Sequence, residues 1–496
     1  PVGAGVTAKL SVGIVSAYQL YGDGSALTNL PSGGFEADSD RNLFASNTCS
    51  GCNFSGATDN VLLGQCAGKE ITSGDGNIAI GCKALCNAQA ATNNIGLGHE
   101  AGMSITSGLY NVLLGKTSGT NLSTGCENIA IGCKSLGTGV VTGNNNISLG
   151  QNSGNCVCSG GYNVLLGKTA GNQLTTGSHN IALGVAMHCG TVTGNYNISF
   201  GFKAGCKLTS GACNTFIGKD AGRGNTSGSV NLFIGRYAGC GNVSGYRNTF
   251  LGQTAGKANT IGSRNVHIGK AGSSVCGGCF NVFIGENAAN DTTGDSAVNI
   301  MIGYGAGEKA GADSNGTYHN ILIGCKAGCK VCGQHNVMMG TEAGHSVTSG
   351  EKNVIIGGIA GCKFTTGDCN IIIGEGAGSG MCGGTGIANI LIGGQSAFKI
   401  GSGGCNVIIG KCASEEIQGG NHNVAIGRNS GFNVVSGNCN IALGPAAGCN
   451  VTTGSCNVSI GANVCVSSAT GDSQLAIGSG SDHWIDGTSD FMVGIG

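Results

Sequence analysis

Cysteine is the residue type in this sequence with the widest chemistry, because a thiol can form disulfides, act as a nucleophile or bind zinc. The chain has 27 cysteines in 496 residues, below the roughly 8–10% of residues that marks a small disulfide scaffold. Six pairs stand seven residues apart, and in three of them a Thr-Thr-Gly or Thr-Ser-Gly turn lies between the cysteines. Such a turn can bring Cα atoms within the ~7 Å that a disulfide requires. The candidate disulfide residues are Cys206 with Cys213, Cys362 with Cys369, and Cys449 with Cys456.

The short cysteine clusters resemble halves of zinc sites. They are CSGC from Cys49, CGGC from Cys276 and CKAGCKVC from Cys325. A structural zinc ion needs four converging ligands, which usually come from two such clusters at a fixed spacing. No second cluster stands at that spacing, so we expect no metal and no other cofactor.

Catalytic and nucleotide-binding motifs are absent from the sequence. The glycine-rich segment GEGAGSG, residues 374–380, lacks the Gly-Lys-Ser/Thr ending of a phosphate-binding loop. Neither GxSxG nor HExxH occurs. We therefore expect that the protein is not an enzyme.

The elements that carry these residues are copies of one repeat. The motif Asn-aliphatic-x-aliphatic-Gly occurs 24 times from Asn60 to Asn457, and most neighbouring copies lie 17 residues apart. We number each repeat from its asparagine, position 0. Position 4 is then Gly, position 7 is Ala or Ser, position 11 is often aliphatic, and positions 12 to 14 often read Thr-Thr-Gly or Thr-Ser-Gly. The glycine-rich segment is therefore the corner of one repeat.

A repeat with one short β-branched strand, two glycine corners and no helical periodicity is typical of one coil of a β-solenoid. We predict an all-β fold, a parallel β-solenoid or β-roll of about 24 coils, with coils stacked about 4.8 Å apart. Stacked asparagines at position 0 are expected to form a hydrogen-bonded ladder. The predicted ladder residues include Asn60, Asn77, Asn214, Asn353, Asn370 and Asn440. Stacking would also place Cys189 beside Cys206, and Cys439 beside Cys456.

Side chains at position 2 point opposite to those at positions 1 and 3, because strand residues alternate faces. We assign positions 1 and 3 to the interior of the coil and position 2 to its outside. Position 2 then forms an apolar outer stripe too long for a soluble monomer, and symmetric self-association would cover it. We predict a parallel homotrimer; a dimer, a solenoid with an unknown partner and one wide two-layered solenoid are the alternatives. The predicted axis residues are Leu113, Leu165, Phe216, Phe233, Phe250, His267, Phe283, Met301, Leu322, Met338, Ile355, Ile372, Leu391 and Ile408.

Charge and hydropathy exclude several partners. The formal net charge is −1 and basic runs are absent, so we expect no nucleic-acid partner. No apolar run reaches the ~18 residues that span a bilayer, so we expect no membrane partner.

The segment YQLYGDGSALTNLP, residues 18–31, resembles a segment of bacteriophage tail fibres and other virion fibre proteins. The sequence of residues 474–496 is similar to the segment that follows the repeat shaft in such fibres, and the repeat itself resembles their shafts. More distantly, it resembles the trimeric β-rolls of autotransporter adhesin heads. The resemblance implies a connector over residues 1–41, a repeat shaft over 42–478 and a transition segment over 479–496.

The resemblance also implies a function. We expect a structural shaft of a virion tail fibre, located on the virion and therefore extracellular. Its expected partners are two other copies, virion proteins at the N-terminus, and a host receptor that is bound by a tip outside this chain. A bacterial cell-surface trimeric adhesin is the alternative, and an ice-binding solenoid is the third reading, because the Thr-rich turns form a row of hydroxyl groups.

Overall fold

The computed structural model describes residues 35–45, 49–292, 296–311, 317–380, 383–488 and 493–495. The described residues form β-strands, bends and turns without a helix. The strands are β1 Phe35–Ala37, β2 Leu43–Ala45, β3 Val61–Leu63, β4 Ile78–Ile80, β5 Ile95–Leu97, β6 Val112–Leu114, β7 Ile129–Ile131, β8 Ile147–Leu149, β9 Val164–Leu166, β10 Ile181–Leu183, β11 Ile198–Phe200, β12 Thr215–Ile217, β13 Leu232–Ile234, β14 Thr249–Leu251, β15 Val266–Ile268, β16 Val282–Ile284, β17 Ile300–Ile302, β18 Ile321–Ile323, β19 Val337–Met339, β20 Val354–Ile356, β21 Ile371–Ile373, β22 Ile390–Ile392, β23 Val407–Ile409, β24 Val424–Ile426, β25 Ile441–Leu443, β26 Val458–Ile460, β27 Leu475–Ser479, β28 Asp482–Gly487 and β29 Val493–Ile495.

Strands β2 to β27 stack in sequence order as one parallel sheet, which confirms the predicted parallel β-solenoid. Equivalent positions of adjacent coils pair directly, so that Phe216 lies beside Phe233 and Phe233 beside Phe250. Outside the strands, backbone hydrogen bonds also link each coil to both neighbours, as between Gly68 N and Ala84 O at 2.9 Å. Each coil is therefore held along most of its length.

Antiparallel strands cover both ends of the parallel stack. At the start, β1 pairs with β2, and at the end β28 pairs with β27 and β29 pairs with β28. Exposed strand edges invite unwanted pairing with other chains, so these strands protect the ends of the solenoid. The proposed connector lies largely outside the described residues, as does the resembling segment of residues 18–31.

The glycines at position 4 are required by the close approach of adjacent coils. Gly357 has φ +131°, and a methyl group on it would lie 2.6 Å from the carbonyl oxygen of Gly374 in the next coil. A side chain would separate the two coils at this corner. The neighbouring Gly358 meets no such restriction, because a methyl group there would have nothing within 4 Å.

The asparagines at position 0 form a buried ladder along the stack. Asn214 Nδ2 donates to Asn197 Oδ1 at 3.0 Å and to the carbonyl of Gly228 in its own coil at 2.8 Å. The Oδ1 of Asn214 accepts hydrogen bonds from both the backbone N and Nδ2 of Asn231. The other predicted ladder residues make the same side-chain bond to the preceding coil, namely Asn60, Asn77, Asn353, Asn370 and Asn440.

The assignment of position 2 to the outer surface was wrong. In every strand from β3 to β26 the side chain at position 2 is buried inside its own chain, whereas those at positions 1 and 3 are partly exposed. The residues predicted to line a trimer axis form the core of one solenoid instead: Leu113, Leu165, Phe216, Phe233, Phe250, His267, Phe283, Met301, Leu322, Met338, Ile355, Ile372, Leu391 and Ile408.

The asparagine ladder explains this orientation. Its amide must face inward to reach the glycine carbonyl across the coil, as Asn214 reaches Gly228. Position 2 shares the face of position 0, because side chains alternate along a strand. The interior therefore receives one side chain from the middle of each strand, and both flanking side chains point outward.

The variable size of the position 2 residue is compensated by position 8 of the preceding coil. A methyl group on Gly96 would lie 2.8 Å from Leu85 Cγ, so leucine fills the space that glycine leaves. His188 hydrogen-bonds to the small residue Ser199 at 2.8 Å in the same arrangement. Volume is thus balanced between adjacent coils, as close packing requires.

The centre of the core is a column of stacked rings. Phe216, Phe233, Phe250, His267 and Phe283 follow one another with ring centroids 4.6 to 5.3 Å apart. Neither ring nitrogen of His267 has a hydrogen-bond partner, and burial lowers the pKa of this imidazole to about 3. The ring is therefore neutral at ordinary pH.

Candidate interaction face

The outward side chains at positions 1 and 3 of β3 to β26 form one continuous surface, which we call the strand face. It contains 48 side chains, all of them apolar except Thr215 and Thr249, and none of them charged. None of these side chains is buried in the single chain. Ile80, Ile198 and Phe200 are 40%, 40% and 54% exposed. Soluble monomers rarely expose an apolar surface of this length, so the strand face is the candidate interaction surface of this chain.

The size of the strand face is set by the stack. At about 4.8 Å per strand, 24 strands extend roughly 115 Å, and two side-chain columns are about 10 Å across. The strand face therefore offers about 1,000 Å² per copy, above the ~800 Å² that each partner buries in a standard protein interface.

Polar rows border the strand face on both sides. Beyond position 4, the row at position 5 carries exposed lysines such as Lys116, Lys168 and Lys219. Before the asparagine, the row at position 16 contains charged and aromatic residues, including Glu127 and Tyr162. An apolar strip between polar rims is the usual composition of a protein interface.

Position 16 has a left-handed backbone, which turns its side chain outward beside position 1. Tyr162 has φ 58° and His179 has φ 58°, and their rings stack at 5.0 Å. Tyr196 continues the stack at 4.9 Å. The rim of the strand face is therefore an ordered row, and its aromatic residues extend the apolar surface.

A shallow groove runs between the position 16 row and the strand face. At the rim residues Phe280, Val298 and His319, the groove has a volume of about 370 Å³. The lining residues are Phe280, Val282, Val298, Ile300, His319 and Ile321.

Two pairs of cysteines contact each other between adjacent coils. The Cys449 and Cys465 sulfur atoms lie 3.7 Å apart in adjacent coils. Cys206 and Cys189 also form a thiol hydrogen bond between coils, which lowers the pKa of Cys206 to about 6 and raises the pKa of Cys189. Positions 9 and 16 belong to separate rows along the solenoid. The candidate disulfides Cys206–Cys213 and Cys449–Cys456 are therefore replaced by contacts along one side of the stack.

The third candidate pair does not come together either. The Cys362 sulfur lies 3.8 Å from the carbonyl oxygen of Ser379 in the next coil, whereas Cys369 is exposed in the position 16 row. In the part of the chain that the structure describes, no group of three or more His, Cys, Asp or Glu side chains is arranged to hold a metal ion. Within the same residues there is also no helix long and apolar enough to cross a membrane.

The Thr-rich turns use their hydroxyl groups to join coils. Thr209 Oγ1 donates to the carbonyl of Thr226 at 3.0 Å, and Thr226 Oγ1 donates to the carbonyl of Val243 at 3.1 Å. These hydroxyls belong to the first residue of each turn, and by donating to the backbone of the next coil they help to hold adjacent coils together.

Sequence reasoning missed two sets of ladder residues. Asn42 begins the main ladder one coil early, accepting a bond from Asn60 at 2.9 Å, although no glycine follows at its position 4. Asn225, Asn242 and Asn259 form a second buried ladder at position 11, in which the side-chain amides are joined by hydrogen bonds of 2.6 and 2.8 Å. The spacing of 17 residues between these three asparagines was the available signal.

Comparison with known proteins gives no relative. The chain matches no protein-family model, no curated protein and no solved structure.

Proposed function

We propose that this chain is a non-enzymatic structural shaft, and that three parallel copies associate through their strand faces into a fibre. The observation that carries this proposal is the long strand face, apolar at every position except Thr215 and Thr249, which no part of the described chain fully covers. Desolvating about 1,000 Å² per copy provides a driving force of the size found in stable complexes.

A second copy of the chain is the partner that best matches the strand face. Its rows repeat at the coil spacing over β3 to β26, and a parallel copy has the same repeat over the same length. In a threefold arrangement, the position 1 row of one copy packs against the position 3 row of the next. A closed ring of this kind covers every strand face.

We place the shaft in a virion tail fibre, because residues 18–31 and 474–496 resemble segments of such fibres. In this role the shaft holds a host-attachment tip at a distance from the particle, and virion proteins bind its N-terminal side. The regular hydrogen bonding between coils gives a long spacer the required stiffness.

The test of the proposed function is the mass in solution, measured by light scattering after chromatography. We expect three times the chain mass of 48.7 kDa. A variant with Ile321→Lys, Val337→Lys and Val354→Lys places three charges on the strand face, and we expect it to dissociate while its circular dichroism is unchanged. Thr341→Lys, on the polar rim at position 5, is the control and should retain the assembly. A wild-type mass of 48.7 kDa at micromolar concentration would contradict the proposal.

A further inference from the structure

The last coils of the solenoid have small side chains in their core. Their inner row consists of the small residues Ala442, Ser459 and Ala476, where the central coils carry phenylalanine. Their buried apolar cluster is separate from the rest and contains Val434, Val451, Val464, Val466 and Ala476. Terminal coils of a solenoid contact fewer neighbours than internal ones, so this end needs additional stabilisation.

Two thiols face each other across these coils. Cys449 lies in the coil that begins at Asn440, Cys465 lies in the next coil, and their sulfur atoms are 3.7 Å apart. Both residues are half-buried. The sulfur atoms are thus in van der Waals contact, and small side-chain rotations bring them to the bonding distance of about 2.0 Å.

The residues beside the two cysteines hold the backbones in register. Gly448 N donates to the carbonyl of Val464 at 2.7 Å, and Asn450 Nδ2 donates to the carbonyl of Val466 at 2.7 Å. Each cysteine is therefore flanked by hydrogen bonds to the opposite coil. The contact between the sulfur atoms is fixed by this frame and does not depend on the flexibility of the chain.

We propose that Cys449 and Cys465 form a disulfide that fastens the last coils of the solenoid together. The oxidant is a low-molecular-weight disulfide such as oxidised glutathione. The Cys465 thiolate attacks one of its sulfur atoms, a glutathione thiolate leaves, and Cys465 becomes a mixed disulfide. The Cys449 thiol then loses its proton and attacks the Cys465 sulfur, which expels the second glutathione thiolate. The protein loses two electrons and two protons, and two glutathione thiols form.

Burial and the hydrogen bond to Cys465 raise the pKa of Cys449. Cys449 therefore has a smaller thiolate fraction than an ordinary thiol, and it makes the second attack in this sequence. The resulting loop spans 16 residues. Closing a loop of about this length reduces the entropy of the opened chain and stabilises the closed coils by about a hundredfold in the opening equilibrium.

The test uses the full chain, first reduced and then equilibrated with oxidised and reduced glutathione. Peptic digestion at acid pH with mass spectrometry should identify a peptide pair linked through Cys449 and Cys465. Hydrogen exchange of peptides that cover β25 to β27 should slow about a hundredfold on oxidation.

Two double variants separate this disulfide from other oxidation events. Cys449→Ser with Cys465→Ser should abolish the slowing. Cys439→Ser with Cys456→Ser, which removes two exposed thiols of the position 16 row in the same region, should preserve it. The inference is overturned if Cys465 remains a mixed disulfide beside a free Cys449, if either cysteine links to another residue, or if the linked protein exchanges as fast as the reduced one. This inference does not depend on the proposed fibre.

Discussion

The inward orientation of position 2 is tested by Phe233→Ala, compared with a substitution at the preceding residue of the same strand. Phe233 is completely buried and stacks on Phe216 and Phe250 at 5.3 and 4.8 Å. Leu232 points outward, and its neighbours in the row, Thr215 and Thr249, are already polar. Leu232→Thr therefore introduces the residue that both adjacent coils already carry at this position.

The expected magnitudes differ widely. Removing a buried phenylalanine ring costs about 3–5 kcal/mol through lost burial and the cavity that remains. We expect the free-energy loss of Phe233→Ala to lie within that range. The backbone of Gly239 lies directly against the ring, so the coil cannot fill the cavity without moving its backbone. Leu232→Thr should change stability by less than about 1 kcal/mol, because the side chain is outside the core.

The assay is hydrogen exchange read peptide by peptide, since a long solenoid does not unfold in a single transition. A loss of about 3–5 kcal/mol corresponds to exchange faster by roughly a hundredfold to a few thousandfold in the coils around β13. Peptides several coils away should exchange as in the wild type. If Phe233→Ala left exchange unchanged and Leu232→Thr accelerated it, the assigned orientation of the strand would be wrong.

Three further predictions concern single interactions in the stack. Gly357→Ala should lower the free energy needed to open the coils around β20 by several kcal/mol, because a methyl group there would lie 2.6 Å from the carbonyl oxygen of Gly374. Gly358→Ala should leave this free energy nearly unchanged, and hydrogen exchange of both variants measures the difference. Asn214→Ala should cost about 3 kcal/mol locally, because buried groups of Asn197, Gly228 and Asn231 lose their partner, and unaltered exchange there would show that the ladder is dispensable. Acid should destabilise the coils around His267. The pKa of this imidazole is about 3 in the folded chain and 6.5 in the unfolded chain. The unfolded state therefore binds the proton first, and stability falls as the pH decreases from 6.5 towards 3. The loss should reach about 3 kcal/mol at pH 4, and His267→Phe, which continues the ring column, should reduce the pH dependence of exchange once intrinsic rates are corrected.

The repeat made the fold predictable from the sequence. A glycine at position 4 and an asparagine at position 0, recurring with one short apolar strand, leave few structures other than a stacked parallel coil. The ladder followed from the same pattern, because identical amides at coil spacing can donate to and accept from one another. These features depend on local chemistry that recurs in every copy.

Which side of each strand points into the core was harder to predict. Positions 1 and 3 are nearly all Val, Ile or Leu, and position 2 varies from Gly96 to Phe233, so the sequence alone favours the two uniform rows as the core. The variation at position 2 instead reflects packing against position 8, as between Gly96 and Leu85. The buried asparagine was the decisive signal, because position 2 must share its face.

The cysteine contacts were only partly predictable from spacing. Cys189 and Cys206, 17 residues apart, lie side by side as the repeat predicts, whereas the contact of Cys449 with Cys465 does not follow from the repeat. Cys449 and Cys456 are seven residues apart in the sequence but lie in different rows. Cys465 is 16 residues from Cys449 and occupies a shifted position in its repeat, yet the stacking of the last coils brings the two thiols into contact. The offset arises from the irregular sequence of the terminal coil, which the repeat pattern does not describe.

The most direct test of the proposed assembly is a cryo-electron microscopy map of the protein in solution, viewed in cross-section. We expect three copies around one axis, with the strand faces of β3 to β26 turned towards that axis and the phenylalanine column enclosed within each copy. A map in which the strand faces line the outer surface of the particle, exposed to water along their length, would contradict it.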